Sequence, residues 1–146
     1  MPVRSALASA ADAIYEADHG LSFVAINALL MQRYMYEYGY KREDFAGFAV
    51  NAHRNAVNNP SAMFRRAISA EAFARAKMIA EPVSLLDSSP IADGAAAIVL
   101  APTDFAVAHG LPAVRIAGSA SATDSVALHD RHDLLWLRAA EISAQR

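Results

Sequence analysis

The stretch Leu85-Leu86-Asp87-Ser88-Ser89-Pro90-Ile91-Ala92-Asp93-Gly94-Ala95-Ala96-Ala97-Ile98-Val99-Leu100-Ala101 decides the reading of this chain. Asp87-Ser88-Ser89-Pro90 has the composition of a turn, because short polar side chains bond their own backbone and proline pre-sets the bend. Ala95 to Ala101 follows as an unbroken apolar run between Asp-Gly and Pro102. A run that short, so bounded, predicts a strand buried on both faces. Downstream, Ala113 to Ala117 alternates and predicts a second strand, with Val114 and Ile116 on one face and Arg115 on the other. Thr103 is expected to cap a short helix between the two, ending at Gly110.

Upstream the texture is helical. Ser5 to Ala17 is rich in alanine and stops at a turn signal, Asp18-His19-Gly20. From Ser22, a good N-cap, Phe23, Ile26, Leu29, Leu30 and Tyr34 recur at helical spacing up to Gly39, which suits a left-handed C′ position. A third helix opens at Arg42-Glu43-Asp44, whose acids favour the positive end of the helix dipole. Its apolar stripe is Phe45, Phe48, Ala49 and Ala52, and Asn59-Pro60 closes it. Ser69 can cap a fourth helix through Ala76. Pro82 to Leu86 reads as extended, and Leu134, Leu135, Leu137 and Arg138 begin a helix expected to run to the end of the chain.

The bulk numbers narrow the class. At 146 residues, 55% hydrophobic and 19% charged, the chain suits one compact domain and not a disordered segment. A net charge of −2 gives no basic field for nucleic acid. The charge-free apolar run from Gly94 to Pro102 is well short of the roughly 20 residues that span a bilayer. Asp12, Glu16 and Asp18 interrupt what a signal-peptide core would require. No cysteine is present, which removes disulfides, thiolate metal sites and thiol nucleophiles from these residues. A cytoplasmic protein is expected.

Two strands buried on both faces need neighbours, and the chain supplies few. The last helix reaches Arg146 without a stop signal. Both point to a fold whose remaining strands lie on other polypeptide, against the plainer reading of a small sheet closed by its own helices.

Three blocks carry a resemblance. The first is Tyr15 to Gly39, where Asp18-His19-Gly20 precedes a helix ending Tyr34-Met35-Tyr36-Glu37-Tyr38-Gly39. The second is Phe48-Ala49-Val50-Asn51-Ala52-His53-Arg54-Asn55-Ala56 with Asn59-Pro60-Ser61-Ala62-Met63-Phe64-Arg65. The third is the stretch quoted at the outset. In order and spacing they resemble the thiolase superfamily, especially the sterol-carrier-protein type and the archaeal acetyl-CoA acetyltransferases. Asp-Gly-Ala-Ala-Ala alone would be a weak signal; three blocks in register are a strong one.

The resemblance implies an α/β chain with the thiolase-like αβαβα architecture, present only in part. Residues 1–90 would form the cap and the end of the first half. Residues 91–146 would hold the last first-half strand and the start of the second half. It also implies that the family's nucleophilic cysteine lies upstream of these residues. The histidine-bearing and glycine-rich motifs, with a second cysteine, lie downstream. No catalytic residue is therefore assigned here. Claisen or thiolysis chemistry would need complementary polypeptide, because the thiolate and the oxyanion donors are elsewhere.

By resemblance, His19 and Gly20 sit at the lip of the cleft where the pantetheine arm enters, and Ser89 faces CoA. Each has a plainer alternative: a histidine before glycine is a common loop residue, and a serine beside proline is ordinary turn chemistry. Residues 41–77 carry seven basic and three acidic residues, which suits either CoA phosphates or a solvated face. His129 and His132 are spaced i, i+3, but the sequence shows no further converging ligands, so no metal is assigned. Tyr34, Tyr36, Tyr38 and Tyr40 read as packing first and partner contact second.

The resemblance implies acyl-CoA as substrate, no separate cofactor, and a homo-oligomer or a complementary thiolase polypeptide as partner, with neither nucleic acid nor membrane. Two other functions fit the same residues. One is a non-catalytic acyl-CoA-binding or assembly domain, for which the start at Met1-Pro2 and the alanine content speak. The other is a piece of a steroid side-chain CoA aldolase.

Overall fold

A computed structural model describes residues 6, 7 and 9–145. The expected start at Ser5 lies outside them. The chain divides into two compact units, residues 1–91 with 125–136, and residues 92–124 with 137–146.

The first unit opens with a π-helical turn, Ala13–Ala17, capped by Asp12, whose carboxylate accepts from the Ile14 and Tyr15 amides. Glu16 is buried and ties this turn in place. One of its oxygens accepts from Asp12 N at 2.9 Å, and the other from Leu128 N at 2.7 Å, 112 residues away. The Asp18-His19-Gly20 turn follows as expected, with Gly20 at φ 81°.

Helix α1, Phe23–Tyr38, has the ends that the sequence announced. The Ser22 hydroxyl accepts from Ala25 N, and Gly39 adopts φ 70°, a left-handed conformation that costs glycine little. Of its apolar stripe, Ile26 is buried whereas Phe23 and Leu29 stay exposed. The third helix opens one step differently from expectation. Arg42–Phe45 is a 3-10 turn in which Asp44 accepts from Lys41 N, and the α-helix proper, α2, runs Ala46–Ala56. Helix α3, Ala70–Ala74, is capped by the Ser69 hydroxyl on Ala72 N and stops two residues before the expected Ala76.

A hairpin that the sequence reading only half anticipated completes the unit. Strand β1, Met78–Ala80, pairs antiparallel with β2, Val83–Ser84, across a cis Glu81–Pro82 bond. Helix α1 packs on it, and Gln32 donates to the Glu81 carbonyl at 2.8 Å. The core is small: Phe73 and Ser84 are fully buried, and Ile26, Ala28, Ala46 and Val83 are buried as well.

In the second unit the expectations fail more often. Neither 95–101 nor 113–117 forms a strand among the described residues. Far from being buried on both faces, Val99 is 95% exposed and Val114 96%. The physical reason is that a strand exists through ladder bonds to a neighbour, and these segments have none here. Helix α4, Thr103–Ala108, forms, but Pro102 holds its N-cap position, so Thr103 is the first helical residue and not the cap. It ends as expected before Gly110, at φ 60°. Helix α5 spans Arg138–Ala144; Leu134, Leu135 and Leu137 lie before it. No helix among the described residues is long and apolar enough to cross a membrane.

Candidate functional site

The third sequence block leads into a turn whose order comes from buried charge. Arg42, only 8% exposed, drives its guanidinium between α3 and the hairpin. Its nitrogens donate to the carbonyls of Phe73 at 2.8 Å, Pro82 at 3.2 Å and Ala74 at 3.3 Å. The guanidinium carbon lies 4.3 Å from the Phe73 ring centre, a cation–π contact inside a dry site. The same group reaches Asp87 at 3.6 Å.

Asp87 in turn organises the turn. Its Oδ2 accepts from Ser84 N at 2.7 Å and from the Ser84 hydroxyl at 2.6 Å. Leu86 N donates to the Ser84 hydroxyl, and Ser88 Oγ and Asp87 N both donate to the Ser84 carbonyl. Such a cluster is stable because each buried polar atom has a partner. The sequence reading placed Asp87 in a turn and Arg42 at a helix start. The 40-residue link between Arg42 and Pro82 had no local signal.

Ser89 is exposed and follows this turn directly, ahead of Pro90. His19 and Gly20 are exposed in the turn after Ala13–Ala17. No hydrogen bond or ring contact joins His19 to Ser89 among the described residues. Of the basic residues weighed for phosphate, Arg54 donates to Asn51 at 2.6 Å and His53 Nδ1 lies 3.0 Å from the Arg66 carbonyl. Arg42, counted with them by charge, is instead interior.

The tyrosines divide by role. Tyr34 meets Tyr38, Tyr40 and Phe45 at ring separations of 4.7, 5.6 and 5.9 Å, whereas Tyr36 is 80% exposed under the Arg33 guanidinium. Tyr34, Tyr40, Asp44, Phe45 and Phe48 line an open hollow of about 260 Å³. His129 contacts Tyr15 edge-on at 4.9 Å and Asp130 at 3.5 Å. No group of three metal-ligating side chains converges among the described residues. The Ser69 hydrogen bond, then the backbone amide of Glu71 itself, hold the Glu71 carboxyl below its ordinary value.

The thiolase N-terminal domain family matches residues 8–104. An acetyl-CoA acetyltransferase of Methanothermobacter thermautotrophicus is 43% identical over 129 residues, covering 88% of this chain and 34% of the relative. An acetyl-CoA acetyltransferase of Methanocaldococcus jannaschii is 35% identical over 144 residues, 97% of this chain and 37% of the relative. A steroid side-chain-cleaving aldolase of Thermomonospora curvata is 34% identical over 117 residues, 80% of this chain and 29% of the relative. The chain belongs to the thiolase superfamily, and it spans about a third of the length of the curated relatives it matches.

Proposed function

We propose that this chain supplies part of the acyl-CoA cleft of a thiolase-type acyltransferase and acts in catalysis only together with further polypeptide, whether continuous with these residues or separate. In this reading His19 and Gly20 lie at the lip that admits the pantetheine arm, and Ser89 faces CoA. The reacting thiolate, the base and most oxyanion donors come from the complementary part. Carbon–carbon bond formation or cleavage beside a thioester needs all of them.

One observation carries the reading. In a chain of this family without a cysteine, the apolar segments that follow Asp93-Gly94 pair with no strand among the described residues, and Ile98, Val99 and Val114 are largely exposed. Exposed apolar stretches of that length favour a covering partner. Residues 95–101 and 113–117 then become the last strand of the first half and the first strand of the second. A second copy of the chain is the other candidate cover.

The test is thiolysis of acetoacetyl-CoA by the purified chain alone. Turnover at background level is expected, and appreciable turnover contradicts the reading. The alternative aldolase reading draws on the 34% identity to the Thermomonospora curvata relative. Cleavage of a steroid side-chain CoA ester by the completed enzyme, with no thiolysis, would select it. A non-catalytic acyl-CoA-binding role is separated by calorimetry with CoA and acetyl-CoA, in which binding persists although no complement restores turnover.

A further inference from the structure

We propose that Arg42 and Asp87 are positioning residues that hold the turn carrying Ser89 and, through it, set the affinity for CoA. The proposal rests on the reading of Ser89 as a CoA-facing residue. A single carboxylate oxygen of Asp87 collects the Ser84 amide, the Ser84 hydroxyl and the Arg42 guanidinium. Arg42 cannot follow a displaced Asp87, because its other bonds fix it to the carbonyls of Phe73, Ala74 and Pro82. The turn is thus referenced to α3 and the hairpin, not to solvent.

From Asp87 to Ser89 the lever is short and stiff. The Ser88 hydroxyl is tied back to the Ser84 carbonyl at 3.2 Å. Pro90 restricts the residue before it to extended backbone conformations, so the direction of Ser89 is inherited from Asp87 and Ser88. Ser89 itself is exposed. An exposed side chain on a rigid mount is what a contact to an incoming ligand requires, since the ordering cost is met before binding.

The experiment is CoA calorimetry on the full chain as wild type, Asp87→Asn, Ser84→Ala, Ser89→Ala and the Asp87→Asn/Ser89→Ala double variant, with amide exchange recorded alongside. Asp87→Asn and Ser89→Ala are each expected to weaken binding about 5- to 10-fold, one hydrogen bond's worth. The double variant is expected to bind no more weakly than Ser89→Ala, because both act through one contact. Ser84 and Leu86 amides should exchange faster in Asp87→Asn, while α1 stays protected. Ser84→Ala is the gentler probe should Asp87→Asn not fold; it keeps the Arg42 pair and is expected to weaken binding about 2- to 3-fold. Losses that multiply in the double variant, or unchanged affinity in Asp87→Asn and Ser84→Ala, overturn the proposal. If the wild-type chain binds no CoA, the reading of Ser89 falls and this proposal's link to affinity falls with it. Faster exchange at Leu86 in Asp87→Asn then separately supports the clamp, and unchanged exchange refutes that as well.

Discussion

Phe73 is the largest fully buried side chain of the first unit, and its ring lies under a guanidinium that bonds its own carbonyl. Truncation to alanine removes apolar burial and leaves a cavity, together costing about 3–5 kcal/mol. It also removes the ring face from Arg42, worth about 2 kcal/mol where water is excluded. Neighbouring losses do not add fully, so about 5 kcal/mol is the working figure. A domain's whole stability is about 5–15 kcal/mol, and this core holds few other large side chains, so Phe73→Ala is expected to leave the first unit unfolded or nearly so. Phe73→Leu separates the two contributions. It keeps most of the volume, costing under about 1.5 kcal/mol, but loses the cation–π contact, for a total of about 2–3 kcal/mol. With a urea slope of about 1–3 kcal/mol/M, the midpoint should fall by about 1–3 M. Equilibrium urea denaturation followed by far-UV circular dichroism reads this. A Phe73→Leu midpoint within about 0.3 M of wild type would refute the guanidinium contribution, and a Phe73→Ala chain that still unfolds cooperatively near the wild-type midpoint would refute the core assignment.

Other outcomes follow from the caps and the exposed segments. Ser22→Ala, which loses the bond to Ala25 N, should lower stability by about 1 kcal/mol, and Gly39→Ala, forced to a positive φ, by a similar amount; thermal melts of the two variants check this. Val99→Lys should reduce self-association or capture of complementary polypeptide, read by analytical ultracentrifugation, because a charge in an unpaired apolar run opposes strand addition. The Glu71 carboxyl titrates below its ordinary range because of the Ser69 bond first. The stability it lends to the start of α3 is present above the unfolded-state value and is lost as pH falls through the lower folded-state value. Amide exchange at Ala72 and Phe73 should therefore quicken on acidification through that window, and in Glu71→Gln this pH dependence should flatten.

The parts of the fold written in local chemistry were legible. Ser22 and Gly39 bracket α1, Ser69 opens α3, and Asp18-His19-Gly20 turns, because each signal acts within one helical turn of where it is read. What depends on distant chain was not. Arg42 read as a surface cation at a helix start, since nothing near it in sequence reveals the carbonyls of Phe73, Ala74 and Pro82. The strand expected of the unbroken apolar run at 95–101 failed for another reason: hydrophobicity records what a segment is suited to lie against, whereas pairing needs the neighbour itself. For the candidate site, His19, Gly20 and Ser89 are legible by family likeness, whereas the Asp87 cluster behind Ser89 exists only in the folded chain.

The bond from Leu128 N to Glu16 spans 112 positions of chain. As the polypeptide leaves the ribosome, the first unit therefore cannot close until its return segment, residues 125–136, has been made. Until then the Glu16 carboxylate lacks that amide. Long-range closure of this kind slows folding, so the waiting chain is the form on which chaperones would act.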